Sequence, residues 1–369
     1  MHSAWSRASG RSSGEPFHTA LRPLSPDSGT RGAGAAGRSP TPSDWGKLPL
    51  VTAPSVFIDG DVGTTGLRIG AWLEGRPDLV RLSIEPERRK DPAVRRELLN
   101  RADLVVFCLP DEAAREAAGW IENPATRVLD ASTAHRVAEG WVFGLPELDS
   151  GQRARIAGAR RVSNPGCWSS ASLLCLRPLV DAGVLDAGAP LVVRGVSGYS
   201  GGGRGMIERW EDPARGLLGL RHDAPYALDR VHKHIPEMVR YSGLRHPPQF
   251  IPSVGPFRCG MRVEIPLHAA ALAHGADAKR VRETLAARYA QEPFVKVAPL
   301  VEALDGDERG FDPCACNDTN RIEIAVFAHP GGHVWLMARL DNLGKGAAGV
   351  AIQNLNLMLG LPESQGLHG

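Results

Sequence analysis

The apolar positions along the chain follow two unlike patterns. From Val56-Phe57-Ile58 onward, short apolar runs recur at residues 80–84, 104–108 and 128–129, separated by helix-length segments at residues 92–101 and 112–121. Such alternation predicts a parallel, doubly wound sheet. Further along, the period changes to two. Cys259, Met261, Val263, Ile265 and Leu267 alternate with Arg258, Gly260, Arg262, Glu264 and Pro266, and Val334, Leu336, Ala338 and Leu340 repeat the pattern. This predicts a sheet with one apolar face, to be covered by a helix such as residues 278–289 or by a second subunit. The fold class is therefore α/β: a parallel-sheet domain followed by an α+β domain with a mixed or antiparallel sheet.

Residues 1–50 share neither pattern. Ser, Gly, Pro, Ala and Arg dominate them, so they bury too little to offset the entropy of ordering, and we expect a disordered extension. Glu15, Asp27, Asp44 and repeated prolines argue against an organellar transit peptide. A functionless tail or an over-called start site is the plainer reading. The remaining 319 residues have ample apolar content for two domains, the whole 369-residue chain being 43% hydrophobic and 23% charged. A net charge of +2 argues against a dedicated nucleic-acid surface. No run approaches a membrane span or a secretory signal, and six cysteines are too few for a disulfide framework, so a cytoplasmic protein is expected.

Candidate chemistry centres on Ser163-Asn164-Pro165-Gly166-Cys167. Pro165 and Gly166 end a short apolar run, and Ala171, Leu173, Leu174, Leu176 and Leu179 form a buried helical face until Pro178 disrupts it. Cys167 then lies in the first helical turn, where free N–H groups and the helix dipole favour a thiolate, and we expect a nucleophile of lowered pKa. Near the start of the folded chain, Gly60, Gly63 and Gly66 bracket Thr64 and Thr65 between a strand and a helix, as a bound phosphate needs. The basic residues Arg88, Arg89 and Lys90 follow Glu85 after the second strand, which points to NADP rather than NAD. Arg136 follows the fourth strand, where ligands collect in open sheets. The glycines from Gly198 to Gly203 suit a ligand-wrapping loop. His232 and His234 would point the same way on an extended backbone, with Glu237 close by. Cys314 and Cys316 have no further ligands at convincing spacing, and no metal is expected.

Five motifs in order carry a family resemblance: residues 60–66, 163–167, 232–237, Asn317-Asp318-Thr319-Asn320 and residues 341–346. Together they resemble N-acetyl-gamma-glutamyl-phosphate reductase of the short, type 2 form, a relative of aspartate-semialdehyde dehydrogenase. The resemblance implies an NADP-binding Rossmann-type domain at residues 51–166, completed by the C-terminal helix at 346–369, and a catalytic and dimerisation domain at 167–345. It implies NADPH-dependent conversion of N-acetyl-glutamyl phosphate to the semialdehyde and phosphate through a thioester on Cys167, with His232 as the acid/base group. Arg136 would anchor phosphate. Gly198, Tyr199 and Arg204 would hold the acetylated end, and Asn164, His234, Glu237 and Lys345 would join them around the substrate. Gly60, Gly63, Thr64, Thr65, Gly66, Arg88, Cys108, Leu109, Pro110, Ser132 and Asn342 would contact NADP. Partners are then a small acyl phosphate and further copies of the chain, as dimer or tetramer, with neither nucleic acid nor membrane. Three alternatives stay open: an aspartyl-phosphate reductase, a carrier-linked aminoadipyl-phosphate reductase, and a non-enzymatic NADP-binding redox sensor.

Overall fold

The computed structural model describes residues 53–229, 231–302 and 308–369; the extension expected at residues 1–50 lies outside the described residues. The first sheet is built from β1 (Ser55–Asp59), β2 (Val80–Leu82), β3 (Leu104–Phe107), β4 (Arg127–Asp130), β5 (Val142–Phe143) and β6 (Arg161–Ser163). All its pairs are parallel, in the order β2-β1-β3-β4-β6-β5. Side chains alternate across each strand, so Leu104 and Val106 face one side while Val105 and Phe107 face the other. Helices α1 (Thr64–Leu73) and α4 (Gln152–Gly158) bury Ile69, Leu73 and Ile156 against the first side. Helices α2 (Pro92–Arg101) and α3 (Asp111–Gly119) bury Leu98, Leu99, Ala114 and Ala117 against the second.

The chain leaves β6 through Pro165-Gly166 into α5 (Cys167–Asp181) and then builds a second sheet. Its strands are β7 (Val192–Gly198), β8 (Ala224–Pro225), β9 (Gln249–Gly255), β10 (Met261–Leu267), β11 (Val295–Val297), β12 (Ile322–Ala328) and β13 (Val334–Leu340), with α6 (Gly203–Glu211), α7 (Ile235–Ser242) and α8 (Ala278–Arg288) between them. The order is β11-β12-β13-β10-β7-β9-β8. The sheet is mixed: β7 with β9 and β11 with β12 are parallel, and the other pairs are antiparallel. Helices α5 and α8 cover the face carrying Met261, Val263, Ile265, Leu336 and Ala338. The opposite face shows Arg262, Pro266, Phe327 and Trp335 to solvent, with the last two rings stacked at 4.6 Å.

Helix α5 corrects one expectation. Pro178 does not end it; the helix continues to Asp181. A proline deprives the carbonyl four residues earlier of its donor, but the Tyr289 hydroxyl supplies one to Leu174 O at 2.8 Å. After β13, residues Gly344–Ala348 form a π-helical turn that leads into α9 (Gly349–Leu359). Ala351, Ile352, Leu355 and Met358 of α9 pack beside Ile69, Leu104 and Leu129, so the end of the chain completes the first core. Among the described residues no helix is long and apolar enough to cross a membrane.

Candidate active site

Cys167 opens α5 at the floor of a cavity of about 120 Å³ that Trp168, Gly198, His232, Lys233 and His234 help to line. The approach to the thiol is tightly built. Gly166 N donates to Glu237 Oε2 at 2.9 Å, while Arg136 Nη1 donates to Glu237 Oε1 at 2.8 Å. A Cβ on Gly166 would lie 2.2 Å from His234 Nε2 and 2.5 Å from Arg136 Nη1. Only glycine lets both side chains close on the backbone beside the sulfur. Arg136 is itself held, because Ser132 O accepts from its Nε at 3.0 Å.

The electrostatics overturn the low-pKa expectation for Cys167. Burial pushes the thiol up to about 11, against the pull of Arg136, the Trp168 N–H and Lys233. The first helical turn is present as expected, but loss of water outweighs it. His232 moves the other way: burial, then Lys233 and Arg136, pull it down to about 4. Burial, Arg136 and His232 hold His234 well below its ordinary range. Both rings are neutral at neutral pH, beside a thiol that keeps its proton.

The backbone at residues 232–234 is not extended. His234 has φ −88° and ψ −14° as the residue before α7, where Pro236 favours a helix start. His234 N therefore turns back to donate to His232 Nδ1 at 3.2 Å. That bond leaves the proton of neutral His232 on Nε2. The two rings meet edge-on at 4.8 Å.

A second cleft, of about 430 Å³, opens where the first sheet meets the glycine-rich turn, and Gly60, Arg81, Ser83, Arg89, Lys90 and Leu109 are among its walls. Gly60 has φ +93°, and a Cβ there would lie 2.4 Å from Cys108 O; one on Gly66 would lie 2.4 Å from Gly60 O. Gly63 N donates to Gly60 O at 3.1 Å, and Thr64 and Thr65 begin α1. This turn brings backbone donors and a helix start to the cleft, which fits the phosphates of a dinucleotide. Arg81 and Arg89 lie 3.7 and 3.6 Å from Asp61, leaving a basic end to the same cleft.

Several expected contacts fall elsewhere. Arg88 turns to Asp91, 3.1 Å away, because Asp91 caps α2 within its reach, and Arg89 takes its place at the cleft. Ser132 spends its hydroxyl on Asp130 at 2.8 Å. Cys108 and Pro110 are the chain neighbours of Leu109, which lines the cleft, and burial pushes the Cys108 thiol up. Asn164 Nδ2 donates to Ala347 O and its Oδ1 accepts from Asn354, so it fastens β6 to the C-terminal segment. Tyr199 stacks on Trp210 and donates to Glu211. Arg204 reaches Val62 O at 2.8 Å, across to the glycine-rich turn. Lys345 is buried on Glu147 and Gln353. Asn342 stays beside the cavity: it accepts from Gly260 N, donates to Ser200, and its Nδ2 lies 3.2 Å from where a Cβ on Gly201 would sit. Tyr226, which accepts from Trp168 Nε1 at 3.1 Å, was missed because an isolated tyrosine in a loop carries no periodic signal. Among the described residues no three His, Cys, Asp or Glu side chains gather as metal ligands; Cys314 Sγ donates to Cys259 O at 3.3 Å.

Known proteins match both parts of this arrangement. Residues 78–157 match the family model for the semialdehyde dehydrogenase NAD binding domain, and residues 167–342 that for the semialdehyde dehydrogenase dimerisation domain. N-acetyl-gamma-glutamyl-phosphate reductase 2 of Nostoc sp. is 46% identical over 319 residues, covering 85% of this chain and 99% of its own. The protein of that name from Pseudomonas putida is 48% identical over 314 residues, with the same two coverages. Among solved structures, aspartate semialdehyde dehydrogenase II of Vibrio cholerae, complexed with ASA, has a TM-score of 0.63 at 16% identity and covers 84% of this chain and 98% of its own. A probable aspartate-semialdehyde dehydrogenase from Pseudomonas aeruginosa has a TM-score of 0.64 at 18% identity, covering 84% and 99%. At such identities the likeness is one of fold.

Proposed function

Because the chain belongs to the N-acetyl-gamma-glutamyl-phosphate reductase family, we propose how its own residues perform that family's reaction. The reaction is the NADPH-dependent reductive dephosphorylation of N-acetyl-L-glutamyl 5-phosphate to N-acetyl-L-glutamate 5-semialdehyde and phosphate, a step of arginine biosynthesis. The observation that carries the assignment of roles is the cavity that Cys167 and His232 line together at the start of α5, with the Arg136–Glu237 pair packed beside it against Gly166.

Cys167 Sγ attacks the acyl carbon, the C–O bond to phosphate breaks, and a thioester forms. The proton leaves the sulfur for the departing phosphate, since neutral His232, drawn down to about 4, is a poor base for a thiol near 11. Arg136 holds that phosphate with its guanidinium. His232 presents Nε2–H to the substrate oxygen and stabilises negative charge there as a neutral donor, which narrows the acid/base role expected of it. The nicotinamide, when bound, supplies the hydride that reduces the thioester carbon. Collapse of the tetrahedral oxyanion then breaks the C–S bond, releases the aldehyde, and leaves a thiolate that takes up one proton.

Gly60, Gly66 and the start of α1 would hold the dinucleotide phosphates. Arg81, Arg89 and Lys90 would receive the 2′-phosphate that distinguishes NADP from NAD. The exposed face of the second sheet, where Phe327 and Trp335 stack, is our choice for self-association as a homodimer. Six free cysteines suit a reducing, cytoplasmic setting.

The reverse assay tests this reading. Purified protein given N-acetylglutamate semialdehyde, NADP and phosphate should form NADPH only when all three are present. Signal with aspartate semialdehyde and none with the acetylated aldehyde would overturn the substrate assignment.

A further inference from the structure

Lys345 is a charged side chain that the chemistry above leaves unused. It has no solvent exposure. Its Nζ donates to Glu147 Oε1 at 2.7 Å and to Gln353 Oε1 at 2.6 Å, and Gln353 Nε2 donates to the same Glu147 oxygen at 2.8 Å. The Phe294 ring lies 5.6 Å from the ammonium. Glu147 Oε2, also buried, has no hydrogen-bond partner. Burial works to raise the Glu147 carboxyl, yet Lys345 and Gln353 hold it below its ordinary value, so it is ionised. Taking two charges out of water is costly, and apolar side chains of similar volume often serve stability as well. Such a pair is better suited to fixing one geometry than to adding stability.

The geometry in question is the π-helical turn that contains Lys345. Gly346 N donates to Asp341 O and Ala348 N to Leu343 O, each at 2.9 Å and five residues back. Turns of this width are rare and concentrate at functional sites. Three glycines let the turn and the start of α9 pack closely into the core. A Cβ at Gly344 would lie 2.2 Å from Thr319 O, and one at Gly349 2.4 Å from Asn320 Oδ1. A Cβ at Gly346 would lie 2.6 Å from Cys167 Cβ. The backbone of Gly346 is thus the wall on which the reactive residue rests. Glu147 precedes α4 and Gln353 lies on α9, so the ammonium ties that wall to two segments that flank the first core.

We propose that Lys345 is a positioning residue: its ion pair with Glu147 sets the turn at residues 344–348, and through Gly346 that turn aims the sulfur of Cys167. This rests on Cys167 being the nucleophile. A misdirected sulfur still permits binding but seldom reaches the acyl carbon, which is a defect in turnover rather than in affinity.

The test uses the full chain and the reverse assay. Lys345→Met and, separately, Gly346→Ala should each lower kcat about 100-fold while KM for the semialdehyde and the affinity for NADP stay within about twofold. The double variant Glu147→Met/Lys345→Met should recover the melting temperature that Lys345→Met loses and keep the low kcat. If kcat returns with stability in the double variant, the pair is merely structural and the proposal fails. Should Lys345→Met not fold, Gly346→Ala decides alone, and wild-type turnover in it refutes the proposal. Cys167→Ala measured in parallel separates the two readings: retained turnover there removes the nucleophile itself, whereas an inactive Cys167→Ala beside a fully active Lys345→Met removes only the positioning role.

Discussion

Cys167 shows how far a residue's place in a helix determines its chemistry. Helix-start donors favour a thiolate, but Cys167 is buried beside Trp168, Tyr226 and His232, and that burial pushes the thiol up to about 11. Alkylation by iodoacetamide should therefore be slow at neutral pH and climb about tenfold per pH unit toward a plateau near that value; a plateau reached below pH 8 would contradict the burial argument. His232 gives the companion prediction. Its folded value, about 4, lies below the ordinary 6.5, so the unfolded chain takes up the proton first as pH falls. The resulting stability is fully present above 6.5 and is lost toward 4. The melting temperature should fall across that window, less steeply in His232→Asn, and an identical slope in both proteins would exclude His232 as a contributor. Cys167, Arg136, His232, His234 and Glu237, legible in the chain as candidates, lie close together in the fold. Their charge states were not legible, because desolvation depends on neighbours such as Tyr226 and Phe250 that only folding brings to the thiol and the histidines.

Elements were legible where local pattern and burial agree. The runs around Val56, Leu104 and Val128 became central strands, and residues 92–101 became α2 with Asp91 as its cap. Strand β9 was not anticipated, since Gln249 to Gly255 contains Pro252 and its apolar residues do not alternate cleanly. The π-helical turn was equally hidden, because a Gly-Lys-Gly sequence reads as an ordinary helix entry. Helix α5 carries a test of its own. Pro178 is tolerated because the Tyr289 hydroxyl satisfies Leu174 O in the core. Tyr289→Phe removes that donor alone and should destabilise the fold by about 1–3 kcal/mol in urea unfolding. An unchanged midpoint would mean that the carbonyl needs no partner.

At the level of the whole molecule, the chain closes on itself: α9 enters the first core, and the turn before it meets Cys167. The return of that helix was implied by the family resemblance, but the route through Gly346 was not. The outer face of the second sheet remains open in a single chain. If it joins two copies, Trp335→Asp should shift sedimentation from dimer to monomer, while an unchanged dimer would move the interface elsewhere. The proposed function turns on one covalent step at Cys167. Protein mixed with N-acetyl-glutamyl phosphate and no nicotinamide should release about one phosphate per chain in a burst and gain one acyl group, located on Cys167 by peptide mass spectrometry and absent from Cys167→Ala. Phosphate release without an acylated chain, or an acyl group on any other residue, would contradict the thioester route.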